Sequence, residues 1–234
     1  MQKAKISGVF YSIQGEGIFI GYPQIFIRFS GCNLACRYCD VPRNQPAQEM
    51  KPLELFRTVR LMRRGSGPVH SVSLTGGEPL LQADFLSGFL PSLKKNGFKT
   101  YLETNGTLPA ELRKIIAGLD FIAMDIKLPV SGGVPPQWPV HRVFLRDCVR
   151  AAPAAVTFVK VVAGQQTGLP EIRAAARLVA GIAPELTMVI QPEISRSGRP
   201  TVSGQRLLDM RDSAGRILAS VRVIAPIHRT LGLA

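Results

Sequence analysis

The sequence predicts an α/β fold built on a parallel sheet, and three observations carry that prediction. Six short runs rich in β-branched and aromatic residues recur at residues 24–29, 69–74, 98–103, 119–125, 155–162 and 186–191. Segments of helical period separate them. Most runs end in a polar or glycine-rich stretch rather than in more core. Parallel neighbours need such helical crossovers, whereas antiparallel ones do not. Six units fall short of the eight in a closed barrel. A length of 234 residues suits one domain over residues 1–234.

Taken in order, the chain leads from Met1-Gln2-Lys3 straight into strand-like sequence, without the pattern of a signal peptide. After the first run, Leu55, Phe56, Val59 and Met62 fall on one helix face, and after the second so do Phe85, Leu86, Phe89, Leu90 and Leu93. Pro109 and Pro170 sit where first helical turns begin, with Glu111 and Glu171 close behind. Phe144, Leu145, Cys148 and Val149 share a helix face, which makes Cys148 a small core residue. Ile172, Ala175, Ala176 and Val179 form the last stripe. Residues 41–52 and 129–139 are the loosest, each a lid or a long connection. No internal repeat or linker interrupts the pattern.

Hydrophobic residues at 46% provide a core, and no apolar run approaches the ~20 residues of a membrane span. A membrane protein is therefore not expected. The formal charge of +13 is spread over dispersed residues such as Arg57, Arg60, Lys94, Arg142, Arg196 and Arg211, without a basic block or interleaved aromatics. A nucleic-acid partner is not expected either. Three of the four cysteines cluster, which argues for metal ligation in a reducing, cytoplasmic setting rather than a disulfide framework.

That cluster is Gly31-Cys32-Asn33-Leu34-Ala35-Cys36-Arg37-Tyr38-Cys39-Asp40, directly after the first run. Thiolates spaced four and then three apart on one loop can close round zinc or an iron-sulfur cube. A closed structural zinc site needs four ligands, and only Cys148 remains to supply the fourth. The missing ligand favours a cube with one iron left open. An open iron beside S-adenosylmethionine is the arrangement for radical chemistry.

In parallel α/β folds the carboxyl ends of the strands share the face that carries the active site. Besides the cysteine loop, that face receives Thr75-Gly76-Gly77-Glu78-Pro79, Glu103-Thr104-Asn105-Gly106-Thr107, Asp125-Ile126-Lys127 and Gln191-Pro192-Glu193. The Gly-Gly pair is either a plain turn or a close approach to ligand, in which Glu78 clamps the amino group of S-adenosylmethionine. Asn105 suits an Asx-turn and Thr107 a helix cap, but neither explains Glu103, an acid ending an apolar strand. Asp125 and Lys127 are a salt bridge or ligand contacts. Gln14-Gly15-Glu16-Gly17 precedes the first run, and Arg28 lies within it. A charge in a core strand is costly unless paired, so Arg28 either grips a substrate carboxylate or pairs with Glu16. His70, His141 and His228 lack ligand-like spacing and are read as structural.

Together these motifs resemble those of radical S-adenosylmethionine enzymes, and within them the 7-carboxy-7-deazaguanine synthases of queuosine biosynthesis. The resemblance runs nearly the whole length, most specifically in Ser12-Ile13-Gln14-Gly15-Glu16-Gly17 and in residues 23–40, 75–79, 103–107 and 221–228. It implies a partial (β/α)6 barrel of the radical SAM type with short N- and C-terminal extensions, a homodimer, and a 4Fe-4S cluster on Cys32, Cys36 and Cys39. It implies that Tyr38, Cys39, Asp40, Gly77, Glu78, Asp125, Ile126, Lys127 and Gln191 touch S-adenosylmethionine. Ile13, Gln14, Gly15, Glu16, Arg28, Thr75 and Glu103 would hold a pterin, with Glu16, Arg28 and Glu103 catalytic. The implied carbon-nitrogen lyase reaction starts with one electron from an external, flavodoxin-like donor and splits the sulfonium to a radical. The radical takes hydrogen from 6-carboxy-5,6,7,8-tetrahydropterin, the ring contracts with loss of ammonia, and the cofactor is recovered.

Two departures stand out. In similar proteins a threonine after the Cys-Asp pair binds magnesium (Mg2+), whereas this chain has Val41. The ending Ala225-Pro226-Ile227-His228 lacks the usual glutamine before the histidine. One rival is a radical SAM paralogue acting on another substrate, such as an activase of a glycyl-radical enzyme, which needs a polypeptide groove. The other is a non-catalytic zinc module whose positive surface binds RNA.

Overall fold

The computed structural model describes residues 2–41, 45–195, 197–228 and 231–232; Arg196 and part of the 41–52 stretch lie outside these. β1 (Ala4–Ile13) and β2 (Pro23–Phe29) are antiparallel, joined through a 3-10 turn at Gly17–Phe19, and β3 (Gln48–Met50) pairs antiparallel with the far edge of β1. From β2 onward strands and helices alternate: α1 (Pro52–Gly65), β4 (Ser71–Gly76), α2 (Ala83–Lys95), β5 (Thr100–Thr104), α3 (Pro109–Ile115) and β6 (Phe121–Asp125). Then follow α4 (Pro129–Gly132), α5 (Trp138–Ala151), β7 (Val156–Ala163), α6 (Leu169–Ala180), β8 (Met188–Pro192), α7 (Gly204–Gly215) and β9 (Val221–Val223).

Every expected run holds a strand, and β2, β4, β5, β6, β7, β8 and β9 are parallel neighbours in that order. The sheet is open, with β3 at one edge and β9 at the other. It is therefore a partial barrel, extended at one end by the antiparallel β1 and β3 and at the other by α7 and β9. Residues 129–139 are a connection, in which the Arg37 N–H donates to the Gly132 carbonyl at 2.8 Å.

The helices follow from local chemistry. Pro52 opens α1, and the Glu54 carboxylate reaches back to accept the Lys51 N–H at 2.8 Å. Pro109 opens α3 as expected, but the cap position is Leu108, without a side-chain cap bond. Thr107, expected there as the cap, instead donates its hydroxyl to Asn105 Oδ1 at 2.6 Å, and the Thr107 N–H closes the expected Asx-turn on the same oxygen.

The helix stripes and the outward residues of the strands form one continuous core, including Phe85, Phe89, Leu102, Phe144 and Ile190. Each such side chain contributes roughly 1.5–3 kcal/mol by leaving water. Most of the apolar burial thus lies on the outer face, which leaves the carboxyl-end part of the concave face to carry chemistry. Among the described residues no helix is long and apolar enough to cross a membrane.

Candidate active site

Side chains alternate across a strand, so the concave face receives every second residue. Near the amino ends of the strands these are aromatic: Tyr101, Phe121 and Phe158 form a separate cluster, closed from below by Phe19, whose ring lies 4.8 Å from Phe121 and 5.8 Å from Tyr101. Toward the carboxyl ends the same alternation brings Arg28, Thr75, Glu103, Asp125, Lys160 and Gln191 inward. These six residues, the cysteine loop and residues 13–17 line a cavity of about 280 Å³. All the candidate residues named from the sequence line it except Glu78 and Ile126.

The cysteine loop forms one wall. Cys32 and Cys39 are exposed and Cys36 half-buried, all three as free thiols, while burial raises the Cys36 pKa against the opposing charge of Lys127. Backbone amides at Gly77 and Glu78 donate to the carbonyls of Phe29 and Gly31 at 2.9 and 2.8 Å, docking the second loop directly onto the first. A Cβ on Gly77 would lie 1.8 Å from the Gly31 oxygen, and Gly76 has φ +115°. The glycine pair is therefore explained by loop-on-loop packing.

Glu78 occupies a different place from the clamp expected of it. Its carboxylate is fully buried beneath the loop and accepts from Asn105 N (2.8 Å), Thr104 Oγ1 (2.9 Å) and Leu80 N (3.1 Å). Burial outweighs these donors and pushes its pKa up to about 7. Ile126 is likewise buried in the outer core. Neither side chain lines the cavity.

The thiols fit a four-iron cube better than a single ion. Cys148, the remaining candidate for a fourth ligand, is packed in the outer core, where burial drives its thiol pKa up. Three thiols bordering one cavity suit a larger centre with one position left for a ligand.

Opposite the loop runs a chain of charges. Lys127 Nζ lies 2.8 Å and Lys160 Nζ 3.4 Å from Asp125 Oδ2; Lys160 also pairs with Glu16, whose other oxygen accepts from Gln191 Nε2 at 2.9 Å. Burial would raise the Asp125 pKa, but the two lysines outweigh it and hold it below the ordinary carboxylate value. Burial would likewise lower both lysines, and the acids beside them raise them instead. The Asp125–Lys127 salt bridge thus exists, yet it does not satisfy the site. Among the described residues, Asp125 Oδ1, Tyr38 OH and Gln191 Oε1 are buried and have no hydrogen-bond partner. Such orphans are uncommon, and three in one cavity suit a polar ligand such as S-adenosylmethionine.

Glu103 anchors the other end, accepting from Thr75 Oγ1 at 2.7 Å and Gln14 Nε2 at 2.8 Å. Burial, reinforced by Glu16, raises its pKa. Arg28 lies 5.0 Å over the Phe10 ring, and among the described residues its buried Nε has no hydrogen-bond partner. Glu16 makes its ion pair with Lys160 rather than with Arg28.

Two cavity residues escape the sequence reading. Lys160 carried the same signal as Arg28, a charge inside an apolar run. His228, read as structural, stands at the mouth, its Nε2 3.4 Å from Asp40 Oδ2 and its Nδ1 4.0 Å from Glu16 Oε1. The Ile227 N–H holds it there by donating to the Gly15 carbonyl at 2.9 Å. Gly15 must lack a Cβ, which would lie 2.6 Å from His228 Nδ1. His141 is structural as expected, bonded to the Asn105 carbonyl at 3.1 Å, with burial lowering its pKa to about 4. Val41 lines the cavity and offers no side-chain oxygen, so this position does not suit magnesium.

Comparison with known proteins agrees with this geometry. Residues 26–129 match the Radical SAM superfamily. The 7-carboxy-7-deazaguanine synthase of Geobacter sulfurreducens is 39% identical, covering 98% of this chain and 97% of its own. The synthase of Methanothermobacter thermautotrophicus is 35% identical over 100% of this chain and 99% of its own. In fold the chain is similar to the crystal structure of QueE from Escherichia coli, with a TM-score of 0.63 at 22% identity, covering 95% of this chain and 93% of that one. With likeness of this degree over nearly the whole of both chains, and a superfamily match spanning the cysteine loop, the chain belongs to the 7-carboxy-7-deazaguanine synthase family of radical S-adenosylmethionine enzymes.

Proposed function

We propose that this chain, acting as one domain over residues 1–234, converts 6-carboxy-5,6,7,8-tetrahydropterin to 7-carboxy-7-deazaguanine, a carbon-nitrogen lyase step of queuosine biosynthesis. The observation that carries the reading is one cavity with three free thiols on one wall and the Arg28, Thr75 and Glu103 end on another. Relatives 39% and 35% identical over nearly the full length support the same reaction.

A 4Fe-4S cluster on Cys32, Cys36 and Cys39, with S-adenosylmethionine beside it, supplies the primary radical when bound. Tyr38, Asp125, Lys127 and Gln191 hold the polar parts of that cofactor through their buried, unpartnered atoms and charges. Arg28 grips the carboxylate of the pterin, and Glu103, fixed by Thr75 and Gln14, accepts from its ring N–H groups. Glu16 is held in one orientation by Lys160 and Gln191. The aromatic layer beneath closes the floor against water, so the ring is confined while it contracts and loses ammonia. No step is assigned to magnesium, because Val41 lacks the oxygen a threonine would supply. The homodimer and the flavodoxin-like one-electron donor implied by the resemblance are part of the same reading.

The test is an anaerobic reaction of reconstituted protein with S-adenosylmethionine, a strong reductant and the pterin, followed by mass. Formation of 7-carboxy-7-deazaguanine is expected. Cleavage of S-adenosylmethionine with the pterin left intact would overturn the substrate assignment.

A further inference from the structure

Lys160 stands where the two halves of the cavity meet. Its ammonium pairs with Glu16, on the side proposed for the pterin, and lies 3.4 Å from Asp125 Oδ2, on the side proposed for S-adenosylmethionine. The backbone fixes this position: Lys160 and Asp125 are register partners on β7 and β6, and the Ile126 N–H donates to the Lys160 carbonyl at 2.8 Å. Asp125 is also paired with Lys127, and Glu16 also accepts from Gln191 and lies 4.0 Å from His228 Nδ1. Charges therefore alternate along Lys127, Asp125, Lys160 and Glu16, with Lys160 as the member shared by both ligand sides.

Glu103 adds a third acid near the same ammonium. On a wall shielded from water these acids repel one another strongly, and Lys160 offsets that repulsion. Its hold is divided, however. A ligand that draws Asp125 toward itself leaves the ammonium closer to Glu16, and a pterin that bonds to Glu16 as the ammonium holds it favours the same arrangement. We propose that Lys160 is a positioning residue that couples the two ligands, so that a filled S-adenosylmethionine side sets Glu16 for the pterin. The inference rests on the two sides assigned under the proposed function.

Coupling of this kind is reciprocal and commonly amounts to roughly 5–150-fold in affinity. It is read without turnover, in anaerobic cluster-loaded protein lacking reductant, as the pterin Kd with and without S-adenosylmethionine. In the wild type the cofactor is expected to tighten pterin binding at least about fivefold. Lys160→Met should bring that ratio close to one, and Lys160→Arg should restore part of it. Should the methionine variant not fold, Lys160→Gln keeps a donor for Glu16 but removes the charge, and the same loss is expected. A ratio unchanged in the neutral variants, or absent from a wild type that binds both ligands, would overturn the coupling alone. A wild type that takes up no pterin would overturn the substrate assignment and the coupling with it.

Discussion

The Glu78 carboxylate accepts the Asn105 N–H at 2.8 Å, and Asn105 in turn donates its side-chain amide to Asn33 at 2.9 Å, next to Cys32. A buried acid under one loop thereby organises two others. Its folded pKa is raised from the ordinary 4.5 to about 7 by burial. The unfolded chain thus releases this proton first as pH rises, and the group's contribution to stability is full below about pH 4.5 and lost by about pH 7. Glu78→Gln should remove that slope. It should also cost about 1–3 kcal/mol, because an amide N–H₂ cannot accept from all three donors. Urea unfolding of both proteins at several pH values from 4 to 8 checks this; parallel curves would contradict it.

Gly77 allows the second loop to rest on the first. Gly77→Ala places a Cβ 1.8 Å from the Gly31 oxygen, so one loop must move. The expected result is iron content after reconstitution reduced by more than about half, with roughly 1–3 kcal/mol of stability lost. Iron and sulfide analysis decides it.

Arg28 has a buried Nε without a hydrogen-bond partner among the described residues, and a ring beneath it. Arg28→Ala should raise the KM for the pterin roughly 10–100-fold, the worth of a charged hydrogen bond, while the cluster absorbance stays intact. Unchanged saturation kinetics would remove Arg28 from the substrate site.

Val41 lines the cavity without an oxygen. Chelation of magnesium should therefore change the rate less than about twofold, and Val41→Thr should introduce a dependence by adding the hard oxygen ligand that the ion prefers. Rates with and without chelator in both proteins test this.

Much of the architecture was legible because β2 and β4 to β8 are largely buried on both faces, so that β-branched and aromatic residues recur in them even where Arg28, Lys160 or the serines of β4 interrupt the apolar pattern. The three-residue β3 and β9 carry too little pattern to register, and α7 buries only Leu207, Met210 and Ala214. Within the site, the cysteine loop was visible because thiol spacing is a local property. The direction of a side chain after a strand is not local: Glu78 and Glu103 look alike in sequence, yet one turns beneath its loop and the other lines the cavity. His228 was missed for a related reason, since long-range contacts such as the Ile227 to Gly15 backbone bond bring the end of the chain to the mouth. Lys160 was legible in principle, as a charge sharing the inward phase of Phe158 and Val162.

The measurement that tests the central claim most directly is the yield of 7-carboxy-7-deazaguanine when S-adenosylmethionine is limiting and the pterin and reductant are in excess. Recovery of the cofactor predicts more than one product molecule for each S-adenosylmethionine supplied. Consumption of S-adenosylmethionine with no deazaguanine formed would contradict the account.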